Sequence, residues 1–208
     1  MIYDYKLNDK AIYLPKAEPE IIVIPKMSYI LIEGEGSPDA SEFSERVEAL
    51  YAIAYAIRMS YKTENVPKGY FEFKVFPLEG IWDLIDYSKG AEDKRNYKYT
   101  LMIRQPEFVD LAVFDYYKNV AAKKKKTNSF ISEVGFRALE EGSCCQMMHI
   151  GPFAEESKSF EIMETAVKNL GFERKSKLHK EIYLSDPRKT APEKMKTVLR
   201  FEVIHPQK

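Results

Sequence analysis

Apolar positions change period along the chain, and the changes mark out its elements. Residues 21–33 (IIVIPKMSYILIE) are rich in β-branched side chains and end at Gly34 and Gly36, which predicts one strand closed by a turn. Ser37 ahead of Pro38 predicts a helix start, and Phe43, Val47, Leu50, Ala54 and Ile57 follow as one apolar stripe. Alternation returns at 70–75, where Phe71, Phe73 and Val75 oppose Glu72 and Lys74, and this strand is expected to continue into PLEGIWDL. Its expected partner is 97–104, with Tyr99, Leu101 and Ile103 on one face and Lys98, Thr100, Met102 and Arg104 on the other. Residues 107–125 read as a connecting helix with acids in the first turn and lysines in the last, whereas 128–142 has no clear period.

A second set of elements follows. It comprises a strand at 144–150, a turn at Gly151-Pro152, a helical stripe of Phe160, Met163, Val167 and Leu170 ended by Gly171, and strands at 177–184 and 197–204. The order strand-helix-strand-strand thus occurs twice, at about 20–106 and 144–206, with a connector at 107–143. Three short texts recur at matching places: IEGEG with HIGPF, GIWDL with EIYLS, and MIRQP with VIHP. The expectation is a single α+β domain over 1–208 built from a duplicated β-α-β-β unit.

Composition limits the partners. With 32 basic against 32 acidic residues the chain lacks the positive footprint of a protein whose task is holding nucleic acid. The N-terminus has no apolar signal core and no run of about eighteen apolar residues occurs, so the expected location is the cytoplasm, with no membrane partner. Cys144 and Cys145 are adjacent and read as two buried thiols.

The stretch HKEIYLSDP carries the candidate chemistry. Period two places His179, Glu181 and Tyr183 on one face, with Ile182 and Leu184 on the other. If Ile182 and Leu184 face the helices, Glu181 and Tyr183 open onto the opposite side of the sheet. Trp82 is the counterpart of Tyr183 in the first half, and continued alternation adds Phe76 and Leu78 to the same wall. A dry carboxylate among rings has a raised pKa and suits a general base for attack by water, or a counter-ion for a cation. The plainer reading pairs Glu181 with Arg200 or Arg104 on a solvated face and makes Trp82 and Tyr183 ordinary packing. His149, next to Met148, reads as a hydrogen-bonded strand histidine, and Glu79 as a structural edge position turned away from Trp82 unless Gly80 marks a bulge. The three histidines are far apart with no CxxC companion, so neither metal nor cofactor is expected.

Four segments carry a resemblance: PLEGIW (77–82), MIRQP (102–106), QMMHIGPF (146–153) and HKEIYLSDPRKTAPEKMKTVLR (179–200). From about Leu7 to Ile204 the chain resembles the stand-alone branch of the GyrI-like small-molecule-binding family. The resemblance implies a curved antiparallel sheet with helices on one face and a ligand groove between the repeats. It implies a lipophilic or cationic aromatic ligand as partner. Some stand-alone members hydrolyse cyclopropanoid electrophiles in detoxification, others fused to helix-turn-helix regulators sense drugs, and one inhibits gyrase. With the module starting near the first residue, direct nucleic-acid contact is not expected. The family's central glutamate matches Glu181, so the resemblance makes Glu181 and Tyr183 the candidate catalytic pair. Around it stand Trp82, Phe76, Leu78, Met148 and His149 as candidate ligand-binding residues. Lys180 and Asp83 depart from the family pattern, and Asp83 is expected to make the groove more acidic.

Overall fold

In the computed structural model, which describes residues 2–206, Pro25 divides the apolar run 21–33 into two strands. They are β1 (Glu20–Ile24) and β2 (Met27–Glu35), and they lie apart in the sheet, β1 against one half and β2 against the other. Proline supplies no backbone N–H, so the ladder cannot run through it. The expected single strand is therefore two.

The helix α3 spans Ser41–Arg58, later than the Ser37-Pro38 signal, because Pro38, Asp39 and Ala40 form a turn ahead of it and Ala40 stands at the cap. Its Leu50, Ile53, Ala54 and Ile57 are buried on the sheet, while Phe43 and Val47 are half-buried against the same core. Leu50, Ile53 and Ile57 each contribute roughly 1.5–3 kcal/mol by leaving water. Residues 70–75 do not form the expected strand. Phe73 makes one isolated bridge to Tyr3, and Phe71 and Phe73 pack edge-on against Phe108 instead of joining the sheet. The strand proper is β3 (Leu78–Leu84), paired with β4 (Tyr97–Arg104) as expected.

Helix α4 (Leu111–Lys124) packs on α3, and the segment without a clear period supplies β5 (Gly135–Leu139), which pairs with β2. The second half gives β6 (Gly142–Ile150), α5 (Glu156–Asn169), a two-residue β7 (Glu173–Arg174), β8 (His179–Tyr183) and β9 (Lys196–Ile204). Gly171, with φ +78°, follows the last turn of α5 in the left-handed conformation that favours glycine. Ahead of β1, two single-turn helices, α1 (Tyr5–Asn8) and α2 (Lys10–Tyr13), begin the chain.

The fold is α+β, with a curled antiparallel half-barrel sheet ordered β1-β6-β9-β8-β3-β4-β2-β5, and β7 attached to β9. From the outside inward, β6-β9-β8 and β2-β4-β3 meet at the central pair β8–β3. One face carries the helices: α3 and α4 cover Ile30, Ile32, Leu101 and Ile103, and α5 covers Cys145, Met147, Leu199 and Phe201. The back face is covered by the N-terminal segment, where Tyr13 is fully buried. Cys144 and Cys145 are both buried free thiols, and burial pushes each up to about 12.

Candidate ligand and active site

Gly80 lies directly opposite Glu181, and Trp82 opposite His179, in the β8–β3 register. Residues opposite one another share a face, so Leu78, Gly80, Trp82, His179, Glu181 and Tyr183 all project the same way. Trp82 stacks on Phe43 of α3, which identifies that way as the helix face, between α3 and α5. The expected side is thus reversed: Ile182 points to the back face and Glu181 to the helices. Alternation dictates which side chains share a face but not which face the helices choose.

The central side chains form one hydrogen-bond chain. Trp82 Nε1 donates to the Tyr183 hydroxyl at 2.8 Å, and that hydroxyl donates to Glu181 Oε2 at 2.8 Å. His179 Nε2 lies 3.1 Å from Glu181 Oε1. Burial and the adjacent Glu181 carboxylate push the Tyr183 phenol well above its ordinary range, so it stays a donor. Gly80 makes the chain possible: a Cβ there would fall 2.8 Å from Trp82 Nε1 and 3.3 Å from the Tyr183 hydroxyl. The texts GIWDL and EIYLS put glycine in one half where the other has its glutamate, and the vacant volume receives the indole edge.

Rings close the site. Phe43 stacks on Trp82 at 6.0 Å, Tyr97 meets Trp82 edge-on at 5.7 Å, and Phe153 meets Tyr183 edge-on at 5.8 Å. The Glu181 side chain keeps 12% of its surface exposed. Two hollows, of about 310 Å³ beside Tyr55 and Arg58 and about 250 Å³ beside Tyr3 and Phe71, lie along the N-terminal segment, away from Glu181.

A residue that the sequence did not single out completes the site. Glu156, the first residue of α5, is buried with Glu181 and Thr197 as polar neighbours. Among the described residues its Oε1 has no hydrogen-bond partner. Burial, then the Glu181 charge, raises its carboxyl far above the carboxylate range, so Glu156 carries a proton at neutral pH.

The remaining candidates separate. Leu78 is half-buried on the helix face. Phe76 is not with it, because Pro77 interrupts the alternation; its ring lies 5.9 Å from that of Tyr13 and 4.7 Å from the Arg104 guanidinium on the back face. Met148, opposite Val198, also faces back. His149 projects to the helix face, where its ring nitrogens meet Ser159 Oγ at 2.9 Å and the Pro152 carbonyl at 3.2 Å. It fastens the turn that carries Phe153 and Glu156 and makes no hydrogen bond to Glu181.

The plainer pairing of Glu181 with Arg200 or Arg104 does not form, since both arginines are on the back face. Arg104 pairs there with Asp9 at 3.0 Å. Arg200 belongs to a buried charge cluster in which Lys180 Nζ lies 3.1 Å from Glu79 and 2.7 Å from Glu141. Glu79 is 1% exposed and Lys180 3%, so Glu79 is a core ion on a central strand and not an edge residue. Gln146 and Arg200 donate to the Ala11 and Ile12 carbonyls, and Tyr13 donates to Glu79. The N-terminal segment thereby seals the cluster. Asp83 alternates to the back face too, where it accepts from Leu84 N and the Tyr87 hydroxyl, so it adds no acidity beside Trp82.

Residues 17–203 match the GyrI-like small molecule binding domain. The chain belongs to that family. A crystal structure of an uncharacterized conserved protein from Listeria innocua is 42% identical and superposes with a TM-score of 0.92, over 97% of this chain and 100% of that one. A second Listeria innocua structure, described as a hydrolase, is 41% identical with a TM-score of 0.89 over the same shares. The C-terminal domain of EcmrR shares the fold at 12% identity and a TM-score of 0.54, over 94% of this chain and 99% of that domain. No curated protein matches the chain. Among the described residues no helix is long and apolar enough to cross a membrane.

Proposed function

We propose that this small-molecule-binding chain takes a flat lipophilic molecule between α3 and α5 and hydrolyses it at an electrophilic carbon. The observation that carries the reading is the chain Trp82 to Tyr183 to Glu181, which holds a nearly buried carboxylate among rings. Glu181 takes a proton from water, and the water oxygen bonds to the carbon. For a strained three-membered ring the carbon–carbon bond breaks, its electron pair moves into the conjugated system, and a solvent proton ends on the acceptor oxygen. Tyr183 fixes the orientation of the Glu181 carboxylate, and Trp82 offers a stacking surface. The 41%-identical Listeria innocua protein described as a hydrolase is consistent with turnover.

The test is hydrolysis of a chromogenic spirocyclopropyl cyclohexadienone by wild type and Glu181→Gln, with circular dichroism as the control for folding. Loss of about 10²-fold or more in a folded variant supports the mechanism. Undiminished turnover removes it.

A second reading, binding without turnover, is favoured by the same rings: stacked around a carboxylate they suit an aromatic cation, each adding roughly 0.5–2 kcal/mol. In that case Glu181→Gln weakens a cationic ligand far more than its neutral isostere, while no product forms with either.

A further inference from the structure

The cover over Tyr183 is one short piece of chain. It runs from Gly151, just past β6, to Ser159 in α5, and most of it lies in water: Phe153 is 41% exposed, and Ala154, Glu155, Ser157 and Lys158 are exposed with it. Both ends are fixed. Gly151 N donates to the Met195 carbonyl at 3.0 Å, and beyond Phe160 the helix is held by Met163 and Val167 on Cys145, Met147, Leu199 and Phe201. Gly151 has φ +142°, a conformation that favours glycine, so the chain turns there on a residue suited to a hinge. A piece that buries so little apolar surface belongs to the low-stability part of a structure, which opens without the rest of the fold.

One buried side chain spans the base of this piece. His149, 5% exposed, meets the Pro152 carbonyl through Nε2 at 3.2 Å and Ser159 Oγ through Nδ1 at 2.9 Å. A carbonyl only accepts, so Nε2 carries a hydrogen, and in the neutral ring Nδ1 accepts from the Ser159 hydroxyl. The imidazole thereby ties the start of the piece to its end. Phe153 and Glu156 lie between the two ties, one edge-on to Tyr183 at 5.8 Å and the other beside Glu181 and Thr197.

We propose that His149 is the latch of a gate: residues 151–159 swing outward about Gly151 as one piece when the two imidazole bonds break, lifting Phe153 from Tyr183 and opening a way in. This rests on the guest lying at the site described above and adds what controls its entry. His149 makes no hydrogen bond to Glu181 and acts through Phe153, as a positioning residue. Each of its bonds favours the closed form by roughly two- to tenfold, so losing both raises the open population by about four- to a hundredfold. A compact guest needs only a narrow parting of Phe153 from Tyr183 and gains little from a weakened latch. A bulky one needs the full swing and gains most.

The experiment compares wild type with Ser159→Ala, which removes one tie, and His149→Leu, which removes both. Amide hydrogen exchange, followed by mass spectrometry, needs no ligand. Exchange at 151–160 is expected to quicken by roughly two- to tenfold in Ser159→Ala and further in His149→Leu, with β3, β8 and β9 at wild-type rates. Unchanged exchange at 151–160 in both variants overturns the latch. So does an equal rise across the whole sheet in Ser159→Ala, which makes the contact ordinary packing. Turnover then tests admission. In Ser159→Ala, kcat/KM for a spirocyclopropyl cyclohexadienone with a fused aryl ring is expected to rise roughly two- to tenfold relative to that for the unfused compound. An unchanged ratio overturns the gate. If wild type turns over neither compound, the function proposed above fails, and hydrogen exchange alone decides the latch.

Discussion

Replacing Glu156 by Gln gives a stability test that needs no ligand. The carboxyl is neutral when folded and has its ordinary value when unfolded, so across neutral pH the folded chain holds a proton that the unfolded chain has lost. Stability from this group is therefore fully present below the ordinary carboxylate range and declines as pH rises toward its folded value near 10. The steepest possible decline is about 1.4 kcal/mol per pH unit. Between pH 5 and 8 that limit is about 4 kcal/mol, and local relaxation and water entry leave roughly 2–4 kcal/mol. Glutamine keeps the shape and neutrality at every pH and so lacks this decline. Urea unfolding should show the variant close to wild type at pH 5 and more stable by roughly 2–4 kcal/mol at pH 8. A variant that tracks wild type in parallel across that range would refute the buried-acid assignment.

Other parts of the structure make shorter tests. Gly80→Ala places a methyl 2.8 Å from Trp82 Nε1, so the indole must leave Tyr183; a red-shifted Trp82 emission and a loss of about 1–3 kcal/mol in unfolding free energy are expected. Unchanged emission would show that the indole tolerates the methyl in place. Lys180→Met removes the cation shared by Glu79 and Glu141, leaving Glu141 to Arg200 and Glu79 to the Tyr13 hydroxyl, and should cost about 3–5 kcal/mol in chemical denaturation. Adding Glu79→Gln to that variant should recover part of the loss, and no recovery would argue against direct coupling. Tyr183→Phe deletes the donor to Glu181 and the acceptor of Trp82; turnover of the spirocyclopropyl probe should fall about tenfold or more with the fold intact, and a wild-type rate would release Tyr183 from its role.

Much of this architecture was readable as periodicity. The alternation of 97–104 put Tyr99, Leu101 and Ile103 on one face, which the structure places under α3, and the residues sharing a face in HKEIYLSDP do share one. What alternation could not supply was which side of the sheet the helices occupy, because that depends on how distant segments pack. The segment at 70–75 looked like a strand for the same local reasons that β3 did, but among the described residues it forms a single bridge, to Tyr3, and its rings pack on Phe108. Glu156 was invisible because a glutamate in a helix's first turn is ordinarily solvated; only the arrival of β8 beneath it makes it a buried acid. The charge cluster is equally non-local, its members coming from β3, β8, β9 and the turn before β6. Lys180 and Asp83, odd against the family pattern, alter the back of the sheet.

Adjacent residues of β8 are tied down on opposite sides: Glu181 in the ring-lined site, and Lys180 to two acids behind it. Sliding that strand to admit a bulky guest would wrench apart ions that have no water to replace their partners. The floor is thus moored from beneath, so a guest at the proposed site would need Phe43 and the Phe153 turn to swing aside above it. Under that proposal, the size of guest admitted is set by the covering rings and not by the strands.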